Sequence, residues 1–181
     1  IADIDVDRFG NCYFVGTVTG AVTLGGMTVV ANSGNGNVLA GKMDPHGSPV
    51  WIISTQNANS DEDILAMDCS VDNRVLLSGS LNSGSGTLGG IPYTASMFSS
   101  IVAVLDSNAI GIWCTVLDTG LMTNMSPRMI DSNAVFLAGS YYTFGTYPML
   151  FGYPLSYQPT NAGAFWADVS IASNRLHGFH Y

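Results

Sequence analysis

Apolar and polar residues alternate along this chain in short runs, broken by Gly, Asn, Asp and Ser. Ile1-Ala2-Asp3-Ile4-Asp5-Val6-Asp7 is the plainest case, and a period of two marks a half-buried strand. A second pattern recurs: an apolar run that stops at Gly and a hydroxyl residue. It reads Cys12 to Thr17, Val75 to Ser80 and Val135 to Ser140, with its glycines, Gly16, Gly79 and Gly139, 63 and then 60 positions apart. A fixed period of this size signals tandem repeats. Asp44 and Asp106 are 62 apart, as are Trp51 and Trp113, which ties two further strands to the same rhythm.

Within each unit the order is similar. A strand leads to a turn and then to the recurring phrase. An extended excursion follows around a Gly pair, Gly25-Gly26 or Gly89-Gly90, and then come two more strands. The third unit is worn: Met129 to Asn133 matches strand and turn, Leu150 to Pro154 the excursion, and Leu176 or His177 stands where Trp is expected. The pattern predicts an all-β chain of three tandem four-stranded antiparallel units, about 1–63, 64–126 and 127–181, in a single repeat domain over 1–181. Four strands per unit is the anatomy of a propeller blade, and three blades are too few to close a ring. Three explanations stay open: a fragment of a longer array, two chains pairing to six blades, or a β-trefoil-like threefold closure. The chain opens at Ile1 inside a strand pattern, which reads as a processed or trimmed start.

Composition sharpens this. Charged residues make up 10% of the chain, with one Lys (Lys42) and one Glu (Glu62), so exposed helices, which usually carry both, are disfavoured. The net charge is −8, and the five basic residues are scattered, which argues against a nucleic-acid backbone as partner. No apolar run reaches the roughly 18 residues of a membrane span, so membrane insertion is not expected. Cys12, Cys69 and Cys114 read as small buried hydrophobes, with one disulfide as the alternative.

The first unit's Asp7, Gly10, Asn11, Gly16, Gly25, Gly26, Lys42, Asp44 and Trp51 resemble the motif of a bacterial tandem-repeat family associated with seven-bladed β-propellers. The resemblance runs over nearly the whole chain and is closest in the first unit. The Gly-Asn pair is missing from the second and third units, and Lys and Trp from the third. The resemblance implies a propeller-like fold and a secreted, cell-surface or virion-surface location. The matching positions are turn and packing residues, so it implies no activity.

Candidate chemistry is sparse. Asp3, Asp5 and Asp7 before Gly10-Asn11 offer oxygens that could serve a calcium ion, although alternation along a strand reads first as a solvated face. Asp61-Glu62-Asp63 reads as a solvated linker that could hold a divalent ion weakly. His46, His177 and His180 share no ligand spacing, and no nucleophile elbow or phosphate loop is present. Tyr141, Tyr142, Phe144, Tyr147, Tyr153 and Tyr157 cluster in the third unit, where they read first as core and otherwise as a contact surface for a subunit or glycan. The expectation is a non-enzymatic structural or interaction module without cofactor, held in an oligomer or larger assembly by sheet edges and aromatic surface. A carbohydrate-binding module is the alternative, and a hydrolase with paired Asp residues ranks third.

Overall fold

A computed structural model describes residues 1–31, 36–56, 62–70, 72–95, 98–117, 121–142, 149–150, 153–154, 162–173 and 175–180. All their regular structure is β, as expected. The first unit holds β1 (Asp3–Val6), β2 (Cys12–Val18), β3 (Ala21–Leu24), β4 (Met27–Val30), β5 (Asn37–Met43) and β6 (Pro49–Ser54). The second holds β7 (Glu62–Cys69), β8 (Val75–Leu81), β9 (Gly84–Leu88), β10 (Ile91–Ala95), β11 (Ser99–Leu105) and β12 (Gly111–Leu117). The third holds β13 (Leu121–Asp131), β14 (Ala134–Tyr142), β15 (Met149–Leu150), β16 (Tyr153–Pro154), β17 (Ala162–Ser170) and β18 (Arg175–His180).

Each unit folds into one antiparallel sheet with its strands in chain order, β1-β2-β5-β6, β7-β8-β11-β12 and β13-β14-β17-β18. A two-stranded hairpin is inserted between the second and third strands of each sheet: β3-β4, β9-β10 and β15-β16. The first two turn at the predicted Gly pairs. Gly25, Gly26, Gly89 and Gly90 all have positive φ, which a two-residue hairpin turn of this kind demands and glycine supplies without strain.

The repeated aspartates are turn residues. Asp44 Oδ1 accepts from the N–H groups of His46 and Ser48, at 2.9 and 2.8 Å. Asp106 Oδ1 does the same for Asn108 and Ile110, at 2.8 and 2.9 Å. Asp7 Oδ1 binds Phe9 N and Asn11 N, and its Oδ2 accepts from Asn11 Nδ2 and the Tyr13 hydroxyl. In the second unit Ser70 takes Asp7's place, its hydroxyl accepting from Arg74 N. A side-chain oxygen bonding main-chain N–H groups two and four residues on is the local device that lets Asp and Ser fix tight turns.

Strand pairing fixes which positions correspond. Val6, Cys69 and Met129 sit opposite Cys12, Val75 and Val135, so Asp5, Asp68 and Arg128 are equivalent, as are Ile4, Met67 and Pro127. Alternate residues then face opposite ways. Tyr13, Val15, Val38, Ala40 and Trp51 of sheet one pack on Val75, Leu77, Ile101, Ala103 and Leu105 of sheet two. Leu76, Val102, Val104 and Trp113 on the far side of sheet two pack on Val135, Leu137, Phe165, Ala167 and Val169 of sheet three. Both tryptophans therefore look forward, each into the next sheet, and Trp51 Nε1 donates to the carbonyl of Ser107 at 3.0 Å. In the third sheet Gly178, not Leu176 or His177, lies opposite Asp168, the register Trp51 holds opposite Lys42 and Trp113 opposite Val104. The same bulge follows Lys42, Val104 and Asp168, so the register is kept in all three sheets and glycine stands at the tryptophan position of the third.

The recurring glycine is a packing requirement. A Cβ at Gly79 would sit 2.1 Å from the carbonyl oxygen of Asp63, and one at Gly16 2.9 Å from the Cα of Ile1. At Gly139 the nearest atoms, in Met125, are 3.3 Å away. In sheets two and three the first strand crosses close over its neighbour at this point, and in sheet one the residues leading into β1 do so.

Candidate docking faces and a polar cleft

The alternating acids of β1 clasp sheet one to sheet two. Asp3 Oδ2 accepts from Met67 N at 2.9 Å, and Asp5 Oδ2 from Cys69 N at 2.8 Å. Their other oxygens accept from Ile4 N and Val6 N on their own strand. Both carboxylates thus meet main-chain donors, in charge-assisted bonds stronger than neutral ones. Among the described residues, no group of three or more His, Cys, Asp or Glu side chains is placed to hold a metal ion.

The next junction repeats one half of the clasp. Asp68 Oδ2 accepts from Met129 N at 2.7 Å, and its Oδ1 meets Arg128 at 2.9 Å. The other half is gone on both sides at once. The position of Asp3 is held by Ala66, which lacks a carboxylate, and that of Met67 by Pro127, which lacks an N–H.

Two sheet faces lie outside these junctions. Sheet one turns Cys12, Phe14, Leu39, Met43 and Ile52 away from sheet two, and its own hairpin packs Val22, Leu24, Met27 and Val29 beside them. Together with Ile1 and Ile4, all of these but Met27 and Val29 line a wholly apolar groove of about 290 Å³; Ile4 is 59% exposed. Phe14 and Leu39 are equivalent to Leu77 and Ile101, the residues with which sheet two receives sheet one. At the far end, sheet three presents Phe136 stacked on Trp166 (centroids 5.8 Å apart, planes at 30°), and Trp166 is 37% exposed. Among the described residues, neither ring belongs to the three apolar clusters.

Between sheets one and two runs a polar cleft of about 470 Å³, lined by Thr17, Thr19, Asp63, Ser80, Asn82 and Phe98 among others. Its floor is Glu62, 2% exposed. The Glu62 carboxylate accepts from the hydroxyls of Thr55 and Tyr93 and, at 3.4 Å, from Val38 N. Burial pushes the Tyr93 hydroxyl well above its ordinary value, and the Glu62 carboxylate adds to the rise. Tyr93 therefore stays a proton donor. Glu62, expected in a solvated linker, is instead a buried, hydrogen-bonded junction residue, because β7 starts there and turns it inward. Asp63 is exposed and accepts from the Thr17 hydroxyl.

Among the sequence-predicted aromatics, Tyr141 and Tyr142 end β14 and Tyr153 lies in β16. Phe144, Tyr147 and Tyr157 lie outside the described residues. The three cysteines are free thiols. Burial raises those of Cys69 and Cys114, the latter to about 12, so both are protonated at neutral pH and poor nucleophiles. The apolar groove and the Phe136–Trp166 face went unnoticed in the sequence. Their signal was the register of the repeat, which assigns the same outward positions in every unit. No protein-family model matches the chain, and no curated protein matches it.

Proposed function

We propose that the chain is a non-enzymatic structural and interaction module, its three sheets standing side by side as consecutive propeller-type blades. It works outside the cell, at a cell surface or on a virion-type particle, and joins neighbouring subunits through the open faces of its end sheets. One observation carries this reading: sheet one turns outward the same apolar positions that sheets two and three use to receive a neighbour. Each sheet pairs its own four strands in chain order, which supports blades over a trefoil whose units share one barrel. The test combines light scattering with binding of a neutral apolar dye such as Nile red. A docking face is either covered, giving a mass above one chain, or open and dye-binding. A monomer that binds no dye overturns the reading.

The polar cleft favours a second reading, carbohydrate binding. Asp63, Asn82, Ser80 and Thr17 offer hydrogen-bonding groups beside the exposed Phe98, the mix of polar groups and aromatic surface that holds a sugar ring. Binding on a broad glycan array that Asp63→Ala and Asn82→Ala both abolish supports it; silence across the array removes it.

A further inference from the structure

We infer that two copies of this chain associate head to tail, the Phe136–Trp166 face of each third sheet seating on the apolar groove of the other copy's first sheet. Six four-stranded sheets then close around a twofold axis. The inference rests on the docking role proposed above and adds the identity of the partner.

Three observations point to a second copy. The first is continuity with the interfaces already present. Phe136 is equivalent to Tyr13 and Leu76, and Trp166 to Ala40 and Val102. All four of those residues are buried against a following sheet. The receiving side is continuous in the same way, since Phe14 and Leu39 stand where Leu77 and Ile101 receive sheet one.

The second is chemistry. The groove is lined by apolar residues alone, and the rings of Phe136 and Trp166 at the other end of the chain supply an apolar filling for it, with the half-buried Asp168 beside them on the same face. The third is charge. Asp5, Asp68 and Arg128 occupy one repeat position, and within the chain Asp68 pairs with Arg128 at 2.9 Å. A third sheet seated before the first sheet of another copy brings Arg128 beside that copy's Asp5, the same acid–base pair in reverse order. Arg128, which has no carboxylate to offer a main-chain N–H, demands none from this junction: Ile4 N and Val6 N are already bonded to Asp3 and Asp5.

Blade number favours closure. The two faces differ, so each contact is heterologous, and such contacts either close into a ring or run on as a filament. Two chains give six sheets, inside the range of four to eight in which blades close, whereas three alone fall short.

Light scattering over a hundredfold dilution, with Nile red fluorescence on the same samples, tests this. The wild type is expected to weigh two chains and bind little dye. Trp166→Lys is expected to halve the mass and switch dye binding on, because it uncovers the groove without touching it. Ile4→Lys is expected to halve the mass and leave dye binding low, because it places a charge in the groove. Circular dichroism of each variant checks that the sheets persist, and Trp166→Phe, which keeps an apolar ring, is expected to remain a dimer. A monomeric wild type that binds dye overturns the dimer and leaves the docking reading standing. A monomer that binds none overturns both. A dimer indifferent to Trp166→Lys overturns the head-to-tail order, and a mass that grows past two chains with concentration overturns closure.

Discussion

The clasp between sheets one and two can be weighed by deleting each half of one bond. Asp3 Oδ2 lies 2.9 Å from Met67 N, and a hydrogen bond to a charged group contributes about 1.5–3 kcal/mol net. Asp3 is only half-buried, so solvent screening brings the expectation to about 1–2 kcal/mol. Asp3→Ala removes the acceptor. It also removes the local bond to Ile4 N, so the single substitution overstates the clasp. Met67→Pro removes the donor, and it costs core packing as well, because Met67 is buried.

A double-mutant cycle cancels both side effects. The cost of Asp3→Ala should fall by about 1–2 kcal/mol when residue 67 is proline. The double variant then carries at the first junction the Ala and Pro pairing that Ala66 and Pro127 form at the second. Urea unfolding followed by tryptophan fluorescence reports it, since Trp51 sits in the junction concerned. An ester linkage at residue 67, which deletes the N–H and keeps the methionine side chain, gives the same cycle without disturbing the core. If Asp3→Ala costs the same on both backgrounds within about 0.3 kcal/mol, the carboxylate does not hold the sheets together and the clasp is refuted.

Alanine at the recurring glycines should destabilise in the order Gly79, Gly16, Gly139, following the approach distances of 2.1, 2.9 and 3.3 Å; thermal melts should show a loss of about 3 kcal/mol or more for the first and under about 1.5 for the last. Asp7 is held below its ordinary value of 3.8: burial pushes it up, and bonds from Asn11, Phe9 and Tyr13 outweigh that. Its contribution is therefore intact above the unfolded pKa and lost as pH falls through the folded one, so Asp7→Asn should flatten the acid limb of a stability–pH curve. Tyr93→Phe strips a donor from the buried Glu62 carboxylate and should cost about 1–3 kcal/mol in urea unfolding. With its thiol at about 12, Cys114 is thiolate in about one molecule in ten thousand at pH 8; iodoacetamide followed by mass spectrometry should leave it unlabelled in the native protein and labelled in urea.

Much of the architecture was legible because its determinants are local. Gly25-Gly26 and Gly89-Gly90 impose hairpin turns, Asp44 and Asp106 fix tight turns by bonding N–H groups two and four residues on, and Trp51 and Trp113 mark one strand twice. What failed to show was whatever depends on a partner distant in sequence. Asp3 and Asp5 read as a solvated face or a cation site, since nothing in their own segment announces that Met67 N and Cys69 N wait beyond 60 residues of chain. Glu62 was misread for a related reason: flanked by Asp61 and Asp63 it looks like a solvated run, and only the start of β7 decides that it points inward. One long-range signal was present. Ala66 and Pro127 each lack one half of the same hydrogen bond, and aligning the units by strand register rather than by glycine alone brings the two losses together.

The two carboxylates of β1 also bear on how such a chain avoids indiscriminate association. With 10% charged residues and apolar faces at both ends, the first-strand edge of sheet one would be an open template for strand pairing. Its outward N–H groups at Ile4 and Val6 are taken by Asp3 Oδ1 and Asp5 Oδ1, so an incoming strand there would have to displace a charged acceptor at each rung. The same two residues thus hold sheet two with one oxygen and close the edge with the other. Under the proposed docking, association through this end of the molecule is thereby directed from the edge to the face. A face with a fixed pattern of large and small apolar positions admits few partners, whereas a bare edge admits almost any strand. Replacing both residues, Asp3→Asn with Asp5→Asn, keeps acceptor oxygens but removes the charge. It should therefore loosen the junction and raise the tendency to aggregate at constant fold, readable as light scattering that increases with time in the variant and stays flat in Ile4→Lys.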